Sequence, residues 1–267
     1  MRIASSPRVL AVAVLAASLT LTGRAQTPAP PAAPLTLTNA SVVDVATGEI
    51  RRGQVIVLRD GRIASIGTTA PAPGTSPPRV DLGGRYVVPG LVDAHVHIAS
   101  PGAMRAALES GVTTVRSAGV SHFADVGLRE LVKQGHLPGP DMLAAGYHVR
   151  PQPAGEAFLD VPDLGDLMKG LTTPDALRRF VRANLARGVD WIKVLATERA
   201  GTPDTDPRKQ VYSEAELALV VSEAGARGVV QPISLTYVYG HEFRAGLRYI
   251  RTLTAKPTGF NALIEGS

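Results

Sequence analysis

The stretch Val88-Pro89-Gly90-Leu91-Val92-Asp93-Ala94-His95-Val96-His97 is an apolar run that ends in two histidines one residue apart. Side chains alternate across a strand, so residues i and i+2 leave on the same face and both imidazoles can turn toward one metal ion. The spacing alone also suits ordinary surface or packing histidines, so its meaning depends on its surroundings.

Downstream, the pattern is strand followed by helix, repeated. The apolar run over 86–92 leads into the histidines, and a short helix follows with Met104, Ala107 and Leu108 on one face and Gly111 as its stop. Residues 112–115 predict a second strand. Leu128, Leu131 and Val132 predict a helix over 123–134, and 142–145 a weaker third strand. Thr173-Pro174-Asp175 is a helix start whose apolar face is Leu177, Phe180, Val181 and Leu185,. The strand at 191–196 comes next. Ser213-Glu214-Ala215-Glu216 then forms a capping box, opening a helix that buries Leu217, Val220, Val221 and Ala224, and 229–233 predicts a further strand,. Such repetition implies an α/β fold with a parallel sheet, open or closed into a barrel.

Upstream, residues 35–85 read as a small β domain. Its strongest signal is Asp60-Gly61 between two β-branched runs, a hairpin turn whose central positions tolerate positive φ,. Residues 26–34 are a proline-rich linker with no periodicity,. Residues 1–25 read as a signal peptide: Arg2 and Arg8, an apolar stretch over 9–21, then Gly23-Arg24-Ala25 with a plausible cut after Ala25,. That stretch is short for a bilayer span, so no stable membrane anchor is expected after cleavage, and the location would be periplasmic or secreted. The chain has no cysteine, so export brings it no disulfide,.

Net charge is +5, and Arg2, Arg8 and Arg24 account for three of those charges. A remainder so weakly charged gives no reason to expect a nucleic-acid partner. No glycine-rich phosphate loop points to a nucleotide.

The 88–97 phrase, placed behind a β domain with an Asp60-Gly61-Arg62-Ile63 hairpin, resembles the first barrel strand of the metal-dependent amidohydrolase superfamily. Gly111-Val112-Thr113-Thr114-Val115-Arg116-Ser117 is similar to the second strand of its imidazolonepropionase-like and Xaa-Pro dipeptidase-like branch, with Ser117 where those proteins usually carry an acid. Pro140-Asp141-Met142-Leu143-Ala144-Ala145-Gly146 resembles the third. The resemblance implies a TIM-type (β/α) barrel over 86–230, preceded by a small β-sandwich domain. It also implies His95 and His97 as metal ligands. Lys193, on the fourth strand-like segment, matches a lysine that the branch carboxylates to bridge two divalent ions, expected to be zinc. Without the resemblance, Lys193 reads as a lysine whose amine reaches out at a strand end.

The implied reaction is hydrolysis of an amide, cyclic amide or Xaa-Pro type carbon–nitrogen bond in a small-molecule substrate. Homo-oligomerisation is left open. His148, just beyond the third strand, is placed where it could face a substrate, but reads first as an exposed loop histidine. Asp163, Asp166, Asp204 and Asp206 read as solvated turn residues.

The resemblance ends near Gly228. The fifth strand carries no histidine, Pro232 interrupts it, and 231–267 reads as a divergent tail in which His241 has no familial surroundings. The family's general-base aspartate on the eighth strand has no counterpart. From Tyr86 onward there are 182 residues, against about 250 for an eight-unit barrel. The expectation is therefore an incomplete barrel, with a non-catalytic periplasmic remnant as the alternative to an enzyme.

Overall fold

The structure is a computed structural model that describes residues 33–71, 78–198, 203–206 and 208–226, together with the backbone of 234–235. The first sheet holds five strands: β1 (Leu35–Val43), β2 (Ile50–Arg59), β3 (Arg62–Gly67), β4 (Arg79–Asp81) and β5 (Tyr86–Val87). β1, β2 and β3 form an antiparallel meander, and β4 and β5 add parallel to β1. The β2–β3 turn is made by Asp60 at φ 51° and Gly61 at φ 69°, as the Asp-Gly pair predicts,.

One sequence expectation needs correction here. Tyr86 and Val87 pair with β1 and close the first sheet, so the next strand begins only at Leu91; Pro89 lacks the amide that an unbroken ladder would need,. Among the described residues the expected β-sandwich domain is represented by this one sheet.

The second sheet is parallel. It runs β6 (Leu91–Val96), β7 (Val112–Ser117) and β8 (Asp141–Leu143), all paired in parallel. Beyond β8, Val149 bridges Val194 in parallel, with the Val149 amide on the Lys193 carbonyl at 2.8 Å and the Leu195 amide on the Val149 carbonyl at 2.9 Å. That joins β9 (Lys193–Val194), to which β10 (Ser234–Leu235) pairs. The residues expected to form the fifth strand, 229–233, and His241 lie outside the described residues; the pairing with β9 is made one step later.

Helices return the chain between strands. α1 (Pro101–Glu109) is capped by Ser100, whose hydroxyl accepts from the Ala103 amide. α4 (Pro174–Ala186) is capped by Thr173 with Pro174 in its first turn, and α5 (Glu214–Gly225) opens on the reciprocal Ser213–Glu216 capping box,. The main core sits on the helix side of the sheet, where Leu177, Phe180 and Val181 of α4 and Leu217 and Val220 of α5 meet Val149, Ile192 and Val194.

α2 (Ala124–Lys133) departs from its expected face. Leu128 is buried and Val132 packs beside it, but Leu131 is 41% exposed, and Asp125 and Arg129 are buried in its place. The reason is polar: Arg129 pairs with Asp190 and Asp125 binds backbone amides, so these charges are satisfied where a leucine was expected,. Residues 156–169 form α3 (Glu156–Asp160) and a 3₁₀ segment (Pro162–Lys169) that holds Asp163 and Asp166, both read as turn residues. Asp166 there is paired with Arg179 at 2.7 Å.

Candidate active site

Alternation sorts the parallel sheet into two faces. Val115, Val149, Ile192 and Val194 point to the helices. The opposite face receives His95 from β6, His97 just past its end, and the residues flanking the apolar ones on the later strands. The His95 and His97 imidazoles lie with ring centroids 5.3 Å apart. The Nδ1 of His97 donates to the Gly119 carbonyl at 2.7 Å, which fixes the ring and leaves the Nε2 lone pair available,. The His95 amide donates to an Asp93 carboxylate oxygen at 3.0 Å. Burial first, then the charges of Lys193, His97 and Arg116, hold His95 below the usual imidazole range against the pull of Asp93.

Lys193 stands on the same side of β9. It is 1% exposed, and its Nζ has no hydrogen-bond partner among the described residues. Burial, followed by the Arg116 charge, pushes its amine down to about 8,. Two positions along, at i−2, the indole of Trp191 is covered by the Arg116 guanidinium, 4.0 Å from its ring centroid,.

His148 corrects the reading of an exposed loop residue. It is part-buried, its ring lies 5.9 Å from that of His97, and its Nε2 donates to the Ala118 carbonyl at 2.6 Å. Burial pushes it down to about 4 despite that hydrogen bond, with Lys193, His97 and Arg150 adding to the effect. His148 is therefore a neutral imidazole at pH 7.

The segment that delivers His148 is pinned from the helix side. Asp125, fully buried, accepts from the amides of Ala145 and Gly146 at 2.9 and 3.0 Å, and Asn184 accepts from the Tyr147 amide at 2.8 Å. Two glycines make the approach possible. A Cβ at Gly146, φ +66°, would sit 2.7 Å from the Asn184 oxygen, and one at Gly119, φ +103°, would sit 2.6 Å from the His148 ring,. A second polar cluster lies after these strands: the Tyr147 hydroxyl donates to Asp160 at 2.5 Å, and the His122 ring reaches the same carboxylate at 3.1 Å.

Sequence reasoning ranked His148 as a loop residue first, and it missed Asp125 and Asn184. The signal for the last two was present: each is a polar residue on an otherwise apolar helix stripe, Asp125 three before Leu128 and Asn184 three after Val181,. His95, His97 and Lys193 come to one face, as their strand positions require. Ser117, buried, is spent on a hydrogen bond from the Gly119 amide at 3.4 Å.

Among the described residues, no three His, Cys, Asp or Glu side chains converge as a metal-binding group. The donor set nonetheless suits one in part. Two imidazoles on one strand and a buried, unsatisfied amine that an acid gas can convert to a carboxylate are ligands of the right chemical type.

The sequence profile of the amidohydrolase family matches residues 86–233. Adenine deaminase from Ruegeria pomeroyi is 28% identical over 67% of this chain and 34% of its own length. Imidazolonepropionase from Mycolicibacterium smegmatis is 39% identical over 25% of this chain and 16% of its own. Among solved structures, a prolidase complexed with N-methylphosphonate-L-proline superposes with a TM-score of 0.65 at 22% identity, covering 81% of this chain and 59% of that one. A prolidase-designated protein from Bifidobacterium longum gives 0.58 at 31%, covering 76% and 50%. The chain thus spans 34% and 16% of these two curated relatives, and under two thirds of the solved ones. The likeness shows the fold as part of a TIM-type α/β barrel, to which β6 to β10 contribute.

Proposed function

We propose a hydrolase of carbon–nitrogen bonds, starting from the fact that the chain belongs to the amidohydrolase family. The observation that carries the reading is the Lys193 amine, buried without a hydrogen-bond partner on the face that also holds His95 and His97. An ammonium left so is costly. Carboxylation by CO2 forms an N–C bond, releases two protons from the ammonium and replaces the cation with an anionic oxygen donor. His95, His97 and the carboxylated Lys193 would then hold one or two divalent ions, with zinc the natural choice for imidazole and carboxylate donors. Bound there, such ions polarise a carbonyl and bring the ionisation of water near neutral pH.

The chain's own residues do the rest. The Gly119 carbonyl holds His97 with Nε2 outward, and desolvation and the neighbouring charges oppose a proton on His95. Arg116, stacked on Trp191, supplies a fixed positive charge beside Lys193, which opposes the ammonium and favours the carbamate. His148 closes the face beside His97 without adding charge. Hydrolysis places the oxygen of water on the carbonyl carbon, breaks the C–N bond and leaves a proton on the departing nitrogen. The substrate is a small molecule with an amide, cyclic amide or Xaa-Pro type bond, and export by the 1–25 segment belongs to the same proposal. Deaminases, dipeptidases and other hydrolases as relatives do not favour a non-catalytic remnant.

Elemental analysis of the purified chain tests this. Bound zinc is expected in the wild type, about two ions where the site is whole, and its loss in a His95→Ala, His97→Ala double variant. Equal metal content in the two proteins would remove the reading.

A further inference from the structure

Residues 118–123, the strap between β7 and α2, orient two rings of the site. The Ala118 carbonyl accepts from His148 and the next carbonyl, Gly119, accepts from His97, at 2.6 and 2.7 Å. The rings are thereby set in opposite tautomers, with the proton on Nε2 in His148 and on Nδ1 in His97,. The strap is anchored at its start by the Ala118 amide on the Val96 carbonyl at 2.7 Å. Midway, the Val120 amide donates to the Gly146 carbonyl at 3.1 Å. Its far end is strained. His122 and Phe123 stand at φ 60° and 49°, in the left-handed region that Cβ sterics disfavour,. Two such residues in succession, one of them aromatic, persist only where their surroundings hold them.

Three later segments do the holding. The Tyr147 hydroxyl accepts from the His122 amide at 2.8 Å and donates to Asp160 of α3 at 2.5 Å. The His122 ring donates from Nδ1 to the same carboxylate at 3.1 Å. The Phe123 ring meets that of Tyr147 edge-on, with centroids 5.0 Å apart. Arg187, just past α4, lies 5.3 Å from the Phe123 centroid and donates to the Asp160 carbonyl. Tyr147, which joins the strained pair to Asp160, is the residue before His148.

We propose that His122, Tyr147 and Asp160 form a latch that positions His97 and His148 through the strap, with Asp160 as the positioning residue that fixes the tautomer of His97. While the latch is closed, the Ala118 and Gly119 carbonyls stay where the rings meet them. Once it opens, the left-handed pair relaxes to backbone that non-glycine residues prefer, and the two carbonyls move with it. A neutral imidazole in water carries its proton mostly on Nε2, so His97, held with the proton on Nδ1, is the ring that reports the change,. That the freed Nε2 lone pair serves a metal rests on the proposed hydrolase reading; the tautomer does not.

The test is the two-bond 1H–15N NMR spectrum of the 15N-histidine chain in EDTA, at a pH above the imidazole range. Six histidines leave the spectrum assignable by single substitution. In the wild type, His97 should show the Nδ1–H pattern. Asp160→Ala should shift it toward Nε2–H, and Asp160→Asn, whose amide oxygen still accepts from Tyr147, should keep most of it. Leu217→Ala, a cavity in the core beneath α5, destabilises without touching the strap and should leave the tautomer unchanged,. Where Asp160→Ala does not fold, Tyr147→Phe, which removes only the hydroxyl, is read in the same way. His97 without the Nδ1 proton in the wild type, an unchanged tautomer in the latch variant, or an equal change in Leu217→Ala would each overturn the proposal. Zinc titration of the same proteins separates the two readings, with affinity expected about tenfold weaker in Asp160→Ala. A tautomer change without zinc binding in the wild type upholds the latch and sinks the metal site. Zinc binding with an unchanged tautomer sinks the latch alone.

Discussion

On one side of the parallel sheet, Val115, Val149, Ile192 and Val194 are buried among the leucines, phenylalanine and valines of the helices; one residue along each strand, His95, Arg116, His148 and Lys193 occupy the other side. The backbone is common to both faces, and at one position so is the burial, since Lys193 is as hidden as Val194, while Arg116 and His148 are half-buried and His95 is exposed. Partners differ. An apolar side chain needs only neighbours that exclude water, whereas a buried polar group needs a specific donor or acceptor. Among the described residues the helix side finds its partners within the chain, and on the other side the Lys193 amine finds none.

The comparison breaks most clearly at Phe180, 1% exposed in the centre of the helix-side core. Phe180→Ala should cost about 3–5 kcal/mol, read as a lowered urea midpoint, and a loss under about 1 kcal/mol would mean that this core is loosely packed. A smaller effect is expected where the loops after the strands are tied together. The Tyr147 hydroxyl, then the His122 ring and the Arg187 charge, hold Asp160 below its ordinary range against the opposing effect of burial. A depressed carboxylate contributes stability that is present above its unfolded value and lost as pH falls through the folded one. Asp160→Asn should thus cost about 1 kcal/mol at pH 7, and the gap to wild type should close as pH drops below the ordinary value of 3.8. A gap that persists at acid pH would assign the cost to shape rather than charge. The smallest effect sharpens the contrast. In the metal-free chain, Lys193→Met should be neutral or slightly stabilising, because it removes an unsatisfied buried amine. A loss as large as that of Phe180→Ala would show that the amine has a structural partner.

Much of this was legible along the chain. Caps at Thr173 and Ser213, the Asp60-Gly61 turn and the 3.6-residue stripe of α4 depend on neighbours within one turn, so the sequence contains both halves of each interaction,. α2 was legible only in part. Its stripe predicts Leu131 in the core, but Arg129 and Asp125 take that side because their partners, Asp190 and the amides of Ala145 and Gly146, lie on later segments. The same limit hid His148, whose ring contact with His97 spans two strands.

By itself, then, the sequence determined the alternation that sends His95 and His97 to one face, the order of strands and helices, and the resemblance that made Lys193 a candidate. Tertiary structure decided which charges are buried with partners and which are not. It set Arg116 over Trp191, His148 against His97 and Lys193 without a hydrogen bond among the described residues. The physical reason is range: backbone periodicity acts between neighbours in the chain, while desolvation and charge pairing are properties of the space that only folding encloses.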